Sequence, residues 1–234
     1  VGISPSLNLT PLQQEHTRFM QAIVQSMCLT PYVLKGGTAL YFGYGLNRFS
    51  EDLDFDAPLK INMESKIKAS LPNGFTNLQI ETIKNTETVQ RYRVSYTTSA
   101  GKGKLKIETS FRDSIPPKSH AVIDGMKIYK IDFLLDKKLK AAHDGQSPRT
   151  AIRDLYDLCF IAENYCDCFT DELFSRIKSF SSDLDELNQR YGEAYLNDEI
   201  VNTQIELEDL LLRLERSANF IERSLKLSPH TENP

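Results

Sequence analysis

The chain has 234 residues, a formal net charge of −4, 40% hydrophobic residues and 26% charged residues. That length and balance describe a globular chain with one large core or two smaller ones. They exclude a wholly cationic nucleic-acid surface, though not a local basic groove, and no apolar run approaches a membrane span.

The N-terminus lacks the charged and apolar regions of a signal peptide, so a cytoplasmic location is expected. The cysteines, Cys28, Cys159, Cys166 and Cys168, read as reduced thiols. Cys166-Asp167-Cys168 is too tightly spaced for a usual structural zinc pair, and the histidines show no ligand spacing, so zinc is not expected.

Residues 11–28 predict a helix, with Leu12, Phe19, Ile23, Val24 and Met27 near helical spacing, Pro11 near its start and Thr30-Pro31 at its end. Tyr32-Val33-Leu34 then reads as a short strand leading into Gly36-Gly37-Thr38. Residues 39–47 allow one or two helical turns, and 51–56 (EDLDFD) alternate as a strand. A helix is expected over 62–70. Strands follow in LQIETI, VQRYRVSYT and KLKIETSFR, the last two flanking a hairpin loop at Ser99–Gly103, and one or two short strands end near KIYKI. From residue 131 the pattern is helical: 131–143, 150–165, 170–179, 183–191 and a long stretch at 198–226. Disorder is expected after Ser228.

The pattern predicts an α+β fold: a mixed N-terminal domain over 1–130 and an all-helical domain over 131–234, a cleft between two such parts being a common place for a ligand.

Asp52 and Asp54 sit two apart on the predicted strand, so both project to one face. Close carboxylates repel unless a cation neutralises them, and a hard ion such as Mg²⁺ does so through oxygen ligands. Alternation in KLKIETS puts Lys104, Lys106, Glu108 and Ser110 on one face, and Glu108 joins the pair if the two strands are neighbours. Three such carboxylates suit the metal-assisted transfer of a phosphoryl group. A solvated edge strand and a surface Lys–Glu pair account for the same residues.

Gly36 and Gly37 permit close backbone approach, and a helix beginning at Thr38 would turn its N–H groups to a phosphate; the Thr38 hydroxyl would bond phosphate or cap the helix. A plain strand-to-helix turn also uses glycine. In the stretch 131–143, Lys138 falls on the apolar stripe of Ile131, Leu134, Leu135, Leu139 and Ala142, so it must snorkel or find an anion. The next helix keeps one polar stripe of Arg153, Asp157 and Asn164, with Asp154 beside it. Arg153 and Asp157 can pair four apart. Alternatively, Asp157 orients Lys138 while Arg153 or Asp154 ties the helical half to the sheet.

Four motifs in order, LKGGTAL with RFSEDLDF, LKIETS, LLDKKLKAA and RDLYDL, resemble those of the nucleotidyltransferase-like toxins of the AbiEii/AbiGii abortive-infection family over roughly residues 10–165. The resemblance implies a DNA-polymerase-β-like core followed by a helical domain. It also implies a bacterial toxin–antitoxin protein that binds a nucleoside triphosphate with Mg²⁺ and transfers a nucleotide to an acceptor such as tRNA, with a cognate antitoxin as partner. In that reading Asp52, Asp54 and Glu108 hold metal. Gly36, Gly37, Thr38, Arg48 and Arg153 contact phosphates. Lys138 neutralises triphosphate charge and Asp157 positions it. Lys137, where the family often has an acid, departs from the pattern. A toxin that modifies a protein acceptor, or a module that binds NTP without turnover and acts through a partner, are the alternatives.

Overall fold

A computed structural model describes residues 7–227 and divides the chain into two units, residues 1–130 and residues 131–234. The disorder expected after Ser228 lies outside the described residues.

The first unit opens with helix α1 (Pro11–Ser26). The Thr10 hydroxyl accepts the Gln13 N–H and the Gln13 side chain accepts the Thr10 N–H, which satisfies two donors that the helix start would otherwise orphan. The helix stops at Ser26, short of Thr30-Pro31, where the sequence placed its end. Strand β1 (Val33–Lys35) runs straight into α2 (Gly36–Tyr44), which starts earlier than the expected stretch at 39–47 and ends at Gly45 in the left-handed conformation. There follow β2 (Leu53–Asp56), α3 (Met63–Ala69), β3 (Thr76–Asn85), β4 (Val89–Thr98), β5 (Gly101–Ser110), β6 (His120–Ile123) and β7 (Met126–Tyr129). Gly101, Lys102 and Gly103 belong to β5, so the hairpin loop expected at Ser99–Gly103 shrinks to Ser99-Ala100.

The strands form one mixed sheet in the order β3-β4-β5-β2-β1-β7-β6. β2 runs parallel to β5 and β1 parallel to β7; the other neighbours are antiparallel. Together with its helices this is the expected α+β architecture. Val94, Tyr96, Leu105 and Ile107 alternate onto one face and are buried, as are Leu34, Leu53 and Phe55. Helix α1 lies against β5 and β7, and the Phe19 ring meets Tyr96 edge-on at 5.3 Å. Each such buried side chain contributes about 1.5–3 kcal/mol of hydrophobic stabilisation. The other parity, from Arg91 to Thr97 on β4 and from Lys102 to Ser110 on β5, stays exposed or half-exposed, which leaves a polar face.

The second unit is helical: α4 (Ile131–Leu139), continued by a π turn at Lys140–Asp144, α5 (Ile152–Asn164), α6 (Asp171–Phe180), α7 (Leu184–Leu196), α8 (Glu199–Asn202) and α9 (Leu207–Leu227). α9 is the central partner, touching α5, α6 and α7. The single helix expected over 198–226 is two. Asp198 caps α8 by accepting the N–H groups of Ile200 and Val201, and the Asn202 amide donates to the Tyr195 and Leu196 carbonyls. These bonds cap the start of α8 and tie it to the end of α7, as Asp and Asn side chains commonly do at helix ends. Among the described residues no helix is long and apolar enough to cross a membrane.

Candidate active site

Parallel pairing of β2 with β5 sets Asp54 opposite Glu108. Asp52 lies just before β2 instead of within it. Asp56, two residues beyond Asp54, shares its face and is buried. Asp54, Asp56 and Glu108 thus lie on β2 and β5 with Asp52 just before β2, and basic side chains answer three of these four carboxylates. Lys106 Nζ lies 2.6 Å from Asp52, Arg91 Nη2 2.6 Å from Glu108, and Lys35 Nζ donates to Asp56 at 2.5 Å. Tyr129 also donates to Asp56, at 3.1 Å.

Asp54 makes neither a hydrogen bond nor an ion pair among the described residues. Burial pushes its carboxyl above the usual range; the charges of Lys106 and Lys35 pull it down, while those of Asp52 and Glu108 push it further up. Burial alone would lower Lys106, but the hydrogen bond and charge of Asp52, with Asp54 and Glu108, raise it overall. Among the described residues no three acid, imidazole or thiol groups are gathered as a metal site. Asp52 is instead paired with Lys106 and Glu108 with Arg91. The donor chemistry, oxygen atoms around a carboxylate without a direct cation, still suits a hard divalent ion.

The glycine turn stands beside this cluster. Gly36 has φ +72°, and a Cβ there would lie 3.5 Å from Asp54 Oδ2. At Gly37 a Cβ would meet Arg48 Nη2 at 2.6 Å and Ser50 Oγ at 3.3 Å. Arg48 is only 2% exposed and donates to the Phe49 carbonyl at 3.0 Å, so its guanidinium fills the space that glycine leaves. Thr38 lies inside the first turn of α2 and not at its start. Its hydroxyl neither caps the helix nor faces outward: it donates to the Asp52 carbonyl and bonds Ser50 Oγ at 2.7 Å. Thr38 thereby ties the segment carrying Asp52 to α2. No side chain caps this helix start.

A second tether comes from α1. His16 Nε2 meets the Glu51 carbonyl at 2.8 Å, and Nδ1 meets the Tyr96 hydroxyl at 2.6 Å. A carbonyl only accepts, so Nε2 carries the proton and Nδ1 accepts from Tyr96. Burial lowers the His16 pKa against the raising effect of the Glu51 hydrogen bond and of the Glu51 and Asp52 charges, which keeps the ring neutral.

In the helical unit Lys138 is 7% exposed and sits 2.6 Å from Asp154 and 2.5 Å from Asp157, which is fully buried. Arg149 Nε adds a contact to Asp154 at 2.5 Å. Burial would raise the Asp154 carboxyl, but the charges and hydrogen bonds of Lys138 and Arg149 outweigh it and hold the pKa below the usual value. Arg153, expected to pair with Asp157 or to tie the helices to the sheet, is held at 2.6 Å by Asp198. That partner comes from the distant cap of α8, beyond the reach of pairing four apart along one helix. Lys137 lies over the Phe133 ring, 5.4 Å from its centroid.

The sequence does not single out Lys35, Arg91, Asp56, Ser50 and His16, nor the partner of Lys106. Lys106 was legible by alternation as a neighbour of Glu108, but its partner Asp52 depends on β2–β5 pairing. Arg91 is set opposite Glu108 only by the β4–β5 register.

The chain matches the family model of the nucleotidyl transferase AbiEii toxin of Type IV toxin–antitoxin systems over residues 18–228. No curated protein matches it. It is similar to the crystal structure of JHP933 from Helicobacter pylori, at 43% identity over 94% of this chain and 95% of that one, with a TM-score of 0.89. A second Helicobacter pylori chain, solved as a candidate nucleotidyltransferase, is 44% identical over 95% of this chain and 100% of its own, again with a TM-score of 0.89. MenT4, a nucleotidyltransferase toxin from Mycobacterium tuberculosis H37Rv, shares the fold at 18% identity, over 91% of this chain and 86% of its own, with a TM-score of 0.51. With nearly the whole described length matched, the chain belongs to the AbiEii family of nucleotidyltransferase toxins.

Proposed function

We propose that this nucleotidyltransferase toxin moves a nucleotide from a nucleoside triphosphate to the hydroxyl of an RNA acceptor, tRNA among the candidates, with Mg²⁺ held by Asp52, Asp54 and Glu108. The observation that supports this best is Asp54, which lacks a direct cation partner between Asp52 and Glu108, two carboxylates that have one. Such a centre gains from a bound divalent ion the direct counter-charge that Lys106 and Lys35 supply only from a distance. A divalent ion bound there contributes Lewis-acid stabilisation of charge on the phosphoryl oxygens.

The chain's own groups have separate tasks in this reading. Glu108 accepts the proton of the attacking hydroxyl, or completes the metal ligands, once Arg91 turns aside. The acceptor oxygen bonds to the α-phosphorus and pyrophosphate leaves. Backbone N–H groups of Gly36, Gly37 and Thr38 donate to phosphate oxygens, favoured by the helix dipole. Arg48 shapes that turn from beneath Gly37. Lys138 neutralises charge on the triphosphate, Asp157 holds its ammonium, and Arg153 adds a weaker phosphate contact. Positioning and electrostatics supply most of the acceleration. A cognate antitoxin and a cytoplasmic setting complete the proposal.

The test is label transfer. Purified protein, each labelled NTP in turn, Mg²⁺, and total RNA or cell extract should give labelled RNA, and Asp52→Ala should give none while keeping the far-UV spectrum. Label that survives ribonuclease but not protease would move the acceptor to protein. A module that binds NTP without turnover would keep Lys138 sealed between Asp154 and Asp157, as seen here. Family membership weighs against that reading, and intact NTP after long incubation would restore it.

A further inference from the structure

The polar face of β4 and β5 does not end at the carboxylates. Register sets Arg93 opposite Lys106, Ser95 opposite Lys104 and Thr97 opposite Lys102. Lys102, Lys104, Lys106 and Arg93 are exposed, while Gly103, Leu105 and Ile107 between them on β5 are buried. On the neighbouring strand Lys84 sits opposite Arg91, and Glu81 opposite Arg93. A stripe of Lys84, Arg93, Lys104 and Lys102, with a single acid at Glu81, thus begins at Glu108 and runs to the Ser99-Ala100 turn. In a chain of net charge −4 this concentrates positive charge on one flat strip.

We infer that this strip is the track for the acceptor strand, binding the backbone phosphates of a single-stranded RNA 3′ end whose terminal hydroxyl lies at Asp52, Asp54 and Glu108. The inference rests on the nucleotidyl-transfer reading above and adds the surface that the acceptor uses. Its length supports it. From Glu108 to Lys102 the strand advances about 20 Å at roughly 3.3 Å per residue. That is far longer than a triphosphate and suits a few nucleotides. Its spacing supports it too. Same-face lysines recur every second residue, a separation comparable to that of successive phosphates along an extended strand. The strip carries no aromatic side chain, since Tyr92 and Tyr96 point into the core. Stacking therefore plays no part, and binding should ignore base sequence. The Arg93–Glu81 pair, at 3.1 Å between side chains more than half exposed, holds Arg93 only weakly.

The test is anisotropy of a labelled single-stranded RNA, without NTP, across a range of salt concentrations. Each phosphate contact removed should reduce the slope of log K against log salt by about 0.7. Lys102→Gln/Lys104→Gln should therefore bind more weakly, with a slope shallower by roughly 1.4, and should raise the KM for RNA while leaving the KM for NTP unchanged. Glu81→Lys should tighten binding and steepen the slope. An affinity and slope unchanged in both variants would overturn the track. So would selective binding of an acidic polypeptide with no binding of RNA. Because this measurement needs no turnover, a failure of RNA binding is distinguishable from a failure of the transfer chemistry, which Asp52→Ala reports separately.

Discussion

Asp54 and Glu108 face each other across parallel strands β2 and β5, yet of the two only Glu108 has a direct ion pair, with Arg91. The arrangement leaves a half-buried carboxylate at the centre of a sheet face without a direct ion pair, its charge only partly offset by the more distant Lys106 and Lys35. Its burial lifts the Asp54 pKa, with Lys106 and Lys35 opposing and Asp52 and Glu108 assisting. A carboxyl whose folded pKa is raised binds its proton more tightly in the native state. Native stability therefore falls as pH rises from the unfolded value of 3.8 through the folded value, and the loss persists above it. Asp54→Asn should raise Tm at neutral pH, with the gain vanishing below pH 3.8, and should abolish nucleotide transfer. Mg²⁺ should raise the Tm of the wild type and not of Asp54→Asn. A variant no more stable than wild type at pH 7 would remove the electrostatic basis of this site.

Much of this geometry was readable from alternation. Period-two patterns in EDLDFD and KLKIETS placed Asp54 and Glu108 on polar faces, and the structure has them as register partners. The α+β class followed from the switch to helical periodicity near residue 131. What alternation does not carry is which strand lies beside which, so the cations Lys106, Arg91 and Lys35 found their acids only in three dimensions. The division of α8 from α9 was hidden for a related reason. The break lies at residues 203–206, where the Thr203 hydroxyl donates to the Glu199 carbonyl and the Gln204 and Ile205 N–H groups both turn back to the Val201 carbonyl, local bonds that periodicity does not describe. The sequence offers the Thr38 hydroxyl only as a phosphate ligand or cap, because its partners Ser50 and Asp52 lie in a loop that no periodicity describes.

His16 should act as a positioning residue for Asp52. Its depressed pKa means that the native state resists protonation, so stability is steady above pH 6.5 and falls as pH drops below it toward the folded value. His16→Phe keeps the ring but leaves the Tyr96 hydroxyl without this partner, at a cost of about 1–3 kcal/mol. We expect kcat to fall with little change in the KM for NTP, and the loss of stability between pH 6.5 and the folded value to become shallower. Equal pH dependence in the variant and the wild type would show that another group titrates.

Gly37 and Arg48 should behave as a coupled pair. A methyl group at Gly37 would meet Arg48 Nη2 at 2.6 Å, and buried Arg48 has little room to retreat. Gly37→Ala should cost about 1–3 kcal/mol by overpacking. In Gly37→Ala/Arg48→Ala that cost should largely disappear relative to Arg48→Ala alone, a non-additivity that a double-mutant cycle in urea measures. Gly36→Ala should instead cost about 1–2 kcal/mol whatever stands at residue 48, because its strain comes from the left-handed backbone. Additive behaviour of Gly37 and Arg48 would refute the contact.

Lys138 answers two buried acids, Asp154 and Asp157, so its charge is structural before it is anything else. Removing one member of a buried ionic cluster strands the others. Lys138→Met should therefore destabilise the helical unit by about 3–5 kcal/mol, and activity measured on it would be uninformative. Lys138→Met/Asp157→Asn removes one charge of each sign and leaves Arg149 to answer Asp154. It should recover most of the lost stability. The depressed pKa of Asp154 supplies an independent check. Its contribution is present above the unfolded value of 3.8 and is lost as pH falls through the folded value. Acid unfolding of Lys138→Met should consequently show a smaller stability loss below pH 3.8 than the wild type does. The stable double variant then separates the two roles of the lysine. If Lys138 also meets the triphosphate, its KM for NTP should rise even though the fold is restored. An unchanged KM and kcat in that variant would confine Lys138 to holding α4 against α5.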